Sequence, residues 1–425
     1  MLILLSSLLL FLFIGVPIAY SLGLSALAYF WLVHPELLSI LPARLYAGMN
    51  SYAMIAMPLF VFMGLVMNHG GITARLIDFS LLFVGRLRGG LGLVNVIASM
   101  IFGGISGSSV SDTASVGAVL IPEMNKKGYS LEFASGITVA SSTMGMIIPP
   151  SVPMVIYAYI SEESVGRLFL GGLIPGTMIG LLMLIITLGV SYRQRYPKET
   201  ITLSGRQKAA LTGRALPALV MPVFVVGAVV FGLATATESA GLGVLYAILV
   251  GLVLLRELKL KVIPGLLRDA IQTSATVMII IALSKLYVWI LALERIPQSL
   301  ALLVSGLDLP VFVILFIVLL IILLVGTFVD VSPAILLLTP VFLPAMKLLG
   351  ISGVQFGVIL ITGLAMGLVT PPVGMCLNVC SAISKIQIGA IFKAAVPFLL
   401  ANLITLILVT YIPALSLWLP SLLMD

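Results

Sequence analysis

The chain is short of charge. Of its 425 residues 9% are Asp, Glu, Lys or Arg and 61% are hydrophobic, with a mean hydropathy of +1.27. A soluble domain cannot cover itself with so few charges, so the composition excludes that class and specifies a polytopic membrane protein. Histidine and cysteine occur twice each. There is no H-E-x-x-H, and Cys376 and Cys380 stand in an apolar run, where they read as packing residues rather than a metal site or disulfide framework. No G-x-x-x-x-G-K-[ST] loop is present and no polar segment is long enough to fold as an ATPase, which excludes ATP hydrolysis as an energy source. The excess of 22 Lys and Arg over 15 Asp and Glu would suit nucleic acid. These basic residues, however, sit in short loops between apolar runs, the signature of cytoplasmic loops.

What is present is a series of apolar runs broken at defined places. Leu2–Leu32 lacks a basic leader, the first positive charge being Arg44, and reads as a retained membrane helix. Ser51–Met67 and Ile72–Val84 read as two further crossings, closed by Arg86 and Arg88. Residues 103–113 (GGISGSSVSDT) then place three glycines and four serines in an apolar context. Their flanks, Leu91–Phe102 and Ala114–Met124, are shorter than the roughly 20 residues a crossing needs, so the segment reads as a re-entrant helical hairpin around a broken tip lining a protein-enclosed cavity. The hairpin starts after Arg86 and Arg88 and ends at Lys126 and Lys127, so it enters and leaves on one face, by inference the cytoplasm. Phe133–Ile160, broken by Pro149-Pro150, and Leu168–Tyr192 follow, and Arg193–Arg214, with Glu199 its one acidic residue, reads as a cytoplasmic linker. Beyond it come Ala215–Ala234, Ala240–Leu255, a basic patch at Arg256–Arg268, and Ala270–Leu293. A second hairpin follows, Pro310–Val325 and Ala334–Met346 around a break at Gly326–Pro333, then Gly357–Ser384 broken by Pro371-Pro372, and Ala394–Leu419.

The halves repeat. Gly104, Pro122, Met144, Gly145, Pro149 and Pro150 recur 222 residues later as Gly326, Pro344, Met366, Gly367, Pro371 and Pro372, with a local shift near Phe133 and Phe356. This divides the chain into a first repeat at 1–192, a linker at 193–214 and a second repeat at 215–425. The crossings above make the first hairpin open to the cytoplasm and the second to the far side, so the repeats are inverted. They place Arg44 inside, Arg75, Arg167, Arg295 and Lys347 outside, and Lys285 within the membrane. Inverted repeats with broken helices are the architecture of secondary transporters, whose sites form at mid-membrane. Half-helix N-termini suit carboxylates there, and freed carbonyls suit a bare cation such as sodium.

The segments Phe102–Ser108 (FGGISGS), Ile148–Ser151 (IPPS) and Leu368–Gly374 (LVTPPVG) resemble the large membrane subunit of tripartite ATP-independent periplasmic (TRAP) transporters, and the likeness extends over essentially the whole chain. The resemblance implies an all-α elevator-type fold in the bacterial inner membrane and a sodium-driven importer of organic acids such as sialic acid, C4-dicarboxylates or sugar acids. It also implies two partners, a periplasmic substrate-binding protein and a small four-helix membrane subunit, the latter here a separate polypeptide. Apolar outer spans such as Leu2–Trp31 are the expected interface with it. A stand-alone sodium/divalent-anion symporter is the rival reading, and a channel is disfavoured because no continuous polar stripe runs along the spans.

Each half is expected to frame a sodium ion, giving at least two. The candidate ligands are Gly104, Ser106, Ser108, Met144, Gly145 and Ile147 in the first half, and Gly326, Thr327, Asp330, Met366, Gly367 and Val369 in the second. The substrate candidates are Ser108, Ser109, Ser111, Asp112, Pro149, Pro150, Ser332, Thr370, Pro371 and Pro372. Loss of the Asp330 carboxylate is expected to damage sodium dependence more than loss of the Ser108 hydroxyl. Asp112 and Asp330 also fit simple helix caps. Lys285 is either functional or a side chain extended toward the membrane surface, and Glu238 reads as an outer-loop residue.

Overall fold

Hydrocarbon offers backbone N–H and C=O groups no partners, so each apolar run satisfies itself by forming helix. The computed structural model describes residues 2–198, 204–306 and 309–424, and Glu199 of the expected linker lies outside them. Among the described residues the regular elements are helices, and seven are long and apolar enough to cross a membrane, or up to eight if one bent pair is a single span. In chain order, α1 (Leu2–Phe13) packs on α2 (Ile18–Val33), α3 (Leu41–Met49) and α4 (Ala56–His69) follow, and α5 (Ile72–Val84) leads into the first hairpin. That hairpin is α6 (Gly90–Ser106) with α7 (Ser109–Lys126). The first broken helix is α8 (Leu131–Ser142), a tight turn at Thr143–Met146, and α9 (Val152–Ser161). α10 (Val165–Arg193), α11 (Gly205–Val230), α12 (Ala236–Leu249) and α13 (Ile263–Leu293) are long crossings, and α14 (Ile296–Gly306) introduces the second hairpin, α15 (Val311–Phe328) with α16 (Val331–Leu348). The second broken helix, α17 (Gly353–Gly367) and α18 (Met375–Ser384), is followed by α19 (Ile388–Tyr411) and α20 (Ala414–Met424).

Helix limits repeat at the motif spacing. α6 and α15 end at Ser106 and Phe328, α7 and α16 start at Ser109 and Val331, and α8 and α17 start at Leu131 and Gly353, each pair 222 residues apart. The shift near Phe133 and Phe356 therefore leaves the backbone register untouched. The match is not complete: α13, for example, is continuous where the first half has α3 and α4 as separate helices.

Several sequence boundaries change, for local reasons. Leu2–Leu32 is two helices, because Gly15 adopts a left-handed φ of +88°. The N–H groups of Gly15 and Val16 close α1 on Leu12 and Phe11 carbonyls at 3.0 Å, and Pro17 caps α2. Ala394–Leu419 divides at Pro413, between α19 and α20. Arg206, Lys208 and Arg214 belong to α11, not to a free linker. The first tip is also narrower than eleven residues, since Gly103 to Ser106 stay helical and the arms reach 17 and 18 residues.

Contacts between distant residues sort the loops into two ends. At the basic end Arg75 Nη2 bonds Glu257 Oε1 at 2.6 Å, and Gly89 N–H donates to Pro197 O at 3.0 Å. At the other end Lys347 Nζ lies 3.3 Å from Glu163 Oε1, the Tyr29 hydroxyl donates to Glu294, and Arg44 stacks 4.8 Å from the Trp289 ring centre. Arg75 and Arg44 thus exchange the sides expected of them, which leaves the charge asymmetry intact. The cause is α5. It starts beside Glu257 and ends just before Arg86 and Arg88, so both its ends lie at the basic face, and it is bent 69° from α4. Ile72–Val84 therefore lies along that face, burying Leu76, Ile77 and Ser80, and is not a crossing. Arg75→Cys should react with a membrane-impermeant maleimide only from the side that labels Arg268→Cys; labelling from the opposite side would restore the crossing.

Candidate functional site

The hairpin tips are held against the broken helices by glycines, because only a residue without Cβ lets two backbones approach so closely. A Cβ on Gly103 would lie 2.8 Å from Gly145 Cα, and one on Gly107, whose φ is +62°, would lie 3.0 Å from Pro150 O. In the second half a Cβ on Gly367 would lie 2.5 Å from Gly326 Cα and overlap the Gly326 carbonyl. Both Pro-Pro bonds are cis. Each tip thus meets its own Pro-Pro segment.

The two tips are not chemically alike. Ser108 is the N-cap of α7, accepting from Ser111 N–H at 3.5 Å, so Asp112 is not the cap; it sits inside the first turn. Its carboxylate is fully enclosed: Oδ1 accepts from the Ser106 hydroxyl, and Oδ2 has no hydrogen-bond partner. A Cβ on Gly145 would meet Asp112 Cγ at 2.9 Å, so glycine there makes room for the carboxylate. The Ser109 hydroxyl is likewise buried without a partner. In the second half Asp330 caps α16, accepting from Val331 N–H at 2.8 Å, and its side chain is exposed. Beside it Gly326, Thr327, Gly367 and Leu368 help line a cavity of about 10 Å³, close to the volume of one water-sized sphere.

The first hairpin is also fastened more firmly. Asn95 Nδ2 donates to Thr138 Oγ1 at 2.6 Å, Ser99 and Ser141 hydroxyls lie 2.9 Å apart, and Thr113 Oγ1 donates to Ser142 Oγ at 2.8 Å, all buried. At the same spacing in the second half stand Ile317, Leu360, Ile321, Gly363, Ile335 and Leu364, whose side chains carry no hydrogen-bonding groups.

Both tips open on one cavity of about 160 Å³. Gly107, Ser108 and Val110 line it from the first hairpin, and Asp330, Val331 and Ser332 from the second. Of the substrate candidates, Ser108 and Ser332 line this space. Ser109, Ser111, Asp112, Pro149, Pro150, Thr370, Pro371 and Pro372 do not: Pro149 and Pro150 are buried behind the first tip, Pro372 is exposed, and the Thr370 hydroxyl bonds Met366 O at 2.8 Å. Of the cation candidates, Ser106 is brought onto Asp112, Gly145 beneath it, and Gly326, Thr327, Asp330 and Gly367 come together. Gly104 faces Pro149 O, Met144 and Ile147 are buried in the first break, and Met366 and Val369 flank the second. The elements missed altogether are α4, which contributes Met57 and Val61, and α13, which contributes Thr273, Ser274 and Val277. The polar run Thr273-Ser274-Ala275-Thr276 within an apolar helix was the available signal, and the Ser274 hydroxyl is buried without a partner.

Other singled-out residues have structural roles. Glu238 completes a capping box with Thr235 at the start of α12. Lys285 Nζ lies 4.5 Å from the Tyr159 ring centre, and the Tyr159 hydroxyl donates to Gly48 O at 3.0 Å. Cys376 is buried in α18, which packs on α7 and α8 and so joins the second break to the first hairpin. The arrangement offers enclosed oxygen ligands for a small cation next to a largely apolar cavity whose polar side chains are Ser108, Thr273, Ser274, Asp330 and Ser332.

Comparison with known proteins matches residues 5–415 to the family described as tripartite ATP-independent periplasmic transporter, DctM component. The chain is 39% identical over 401 residues to the C4-dicarboxylate TRAP transporter large permease protein DctM of Pseudomonas aeruginosa, covering 94% of each. It is 34% identical to the sialic acid TRAP transporter large permease protein SiaM of Vibrio cholerae, over 97% of this chain and 96% of that one. Among solved structures, the YdaH transporter of Alcanivorax borkumensis superimposes with a TM-score of 0.65 at 14% identity, over 92% of this chain and 90% of the other, a likeness of fold.

Proposed function

We infer the mechanism from one premise: this chain belongs to the DctM family, the large permease component of tripartite ATP-independent periplasmic transporters, and is an integral inner-membrane protein. Large permeases of this kind work with a small permease and a periplasmic binding protein. We propose that this one imports an organic acid anion, of the C4-dicarboxylate, sialic acid or related sugar-acid class, down a sodium gradient.

The observation that carries the sodium coupling is the enclosed Asp112 carboxylate. A buried, unpaired anion is expensive, and a bare cation beside it offsets that cost in low dielectric. The first sodium ion is proposed at Asp112, Ser106 and the Gly145 backbone, the second at Gly326, Thr327, Gly367 and Asp330. The cargo anion is proposed to occupy the cavity between the tips, with Ser108, Ser332, Thr273 and Ser274 as donors. Two inverted repeats then give the elevator: hairpins and broken helices travel as one body against α4, α13 and the other crossings. The glycine contacts between each tip and its Pro-Pro segment support that unit, since such interlocked backbones have no room to slide.

The test is uptake of labelled succinate and sialic acid into vesicles holding this chain with its small subunit and binding protein. Uptake is expected only with inward sodium gradient and binding protein together. Uptake by this chain alone would support the stand-alone symporter, and uptake indifferent to sodium would remove the coupling.

A further inference from the structure

A cavity of about 370 Å³ lies on the flank of the first hairpin, away from the cavity between the tips. Its floor is Gly104 and Met100 of α6 with Pro149 of the first break, and its outer wall is Pro222, Val226 and Gly227 of α11. The lining side chains are hydrocarbon or thioether throughout. Water inside would forgo its hydrogen bonds, whereas an alkyl chain would gain dispersion contacts along every wall. A cavity of about 150 Å³ already accepts benzene. The mouth is set by Val223 and Phe231, 73% and 69% exposed, on the outer surface of a 26-residue crossing, where the surrounding medium is lipid tails.

We propose that this cavity is a binding site for one phospholipid acyl chain, entering sideways from the bilayer between α11 and the first hairpin. The occupant follows from the mouth and the lining: it arrives from hydrocarbon, and no polar side chain lines the space to recognise anything else. Its inner end lies beside Gly104 and Pro149, whose neighbours Gly103 and Gly145 form the close contact of the first tip. An acyl chain there touches both α11 and the element that frames Asp112. Binding itself rests only on the membrane location; its influence on transport rests on the reading given under Proposed function.

Gly227 supplies the test, because a Cβ there would meet only the Phe231 ring at 3.9 Å and a leucine has room to project into the cavity. The protein is reconstituted with phosphatidylcholine bearing a mid-chain diazirine, irradiated, and its adducts located by peptide mass spectrometry. Met100 and Val226 are expected to label more heavily than Leu181 and Ile185, which are exposed on α10. In Gly227→Leu their labelling is expected to fall at least about fivefold, with Leu181 and Ile185 unchanged. Val230→Phe, which fills the cavity from the same helix, serves as a second variant should the first misassemble. Labelling of Met100 and Val226 no stronger than at Leu181, or unaffected in both variants, overturns the site. The readout needs no transport, so failure of the proposed function would leave this result standing.

Discussion

Alanine at position 367 is expected to cut sodium-driven uptake by about tenfold or more while leaving the protein in the membrane. The added Cβ would stand 2.5 Å from Gly326 Cα and inside the Gly326 carbonyl. Both obstacles are backbone, so no side-chain rotation relieves them, and α15 must move away from α17. Overpacking a tight interior costs about 1–3 kcal/mol, and each 1.4 kcal/mol is tenfold in an equilibrium constant. The displaced segment carries Thr327 and Asp330, so the loss falls on the cation-framing geometry, and uptake is expected to drop by about tenfold or more with a raised half-saturating sodium concentration. Gly389→Ala is the control: a Cβ there meets nothing within 4 Å, and uptake should be unchanged. Wild-type sodium dependence in Gly367→Ala would remove the contact between second hairpin and break from the mechanism.

The second large effect is expected from Asp112→Asn. Asparagine keeps the shape and an acceptor for the Ser106 hydroxyl, and Ser108, the cap of α7, is untouched. What changes is the charge at Oδ2, the oxygen with no partner in the protein. If a sodium ion neutralises that oxygen, the half-saturating sodium concentration rises at least about tenfold, corresponding to about 1.4 kcal/mol. Sodium would also raise the melting temperature of the purified variant by less than that of the wild type, since only the second proposed site would still bind and stabilise the folded state. The opposite outcome is as clear. A carboxyl that is neutral and merely hydrogen-bonded predicts an unchanged sodium curve in Asp112→Asn, with stability equal to or above wild type, because the uncharged amide is easier to bury. Asp330 is the instructive contrast: more exposed than Asp112 and already capping α16, its carboxylate has a backbone partner that Asp112 Oδ2 lacks.

The sequence by itself determined whatever depends on local composition. Apolar runs too long to remain in water had to become membrane helices; Gly107 and Pro149-Pro150 had to interrupt them; and the recurrence at Gly326 and Pro371-Pro372 had to produce two similar halves. The hairpins and broken helices were legible because a helix needs only its own residues to form or fail. Their exact widths were not, since Gly103 and Gly104 remain helical where the backbone of the first break packs closely against them.

Tertiary structure decided everything that depends on a distant neighbour. Ile72–Val84 follows α4 like a further crossing, yet this 13-residue helix with Arg75 and Asp78 lies along the basic face, where Arg75 bonds Glu257. Arg44 was assigned its side by Trp289, far along the chain. Asp112 and Asp330 are both aspartates beside a tip, but one is walled in by Gly145 and Ser106 and the other is exposed beside the shared cavity. Thr273 and Ser274 enter the site only because α13 passes the two tips. Burial, pairing and the side a loop occupies are properties of surroundings, and the surroundings of these residues are assembled by packing between helices that no local pattern encodes.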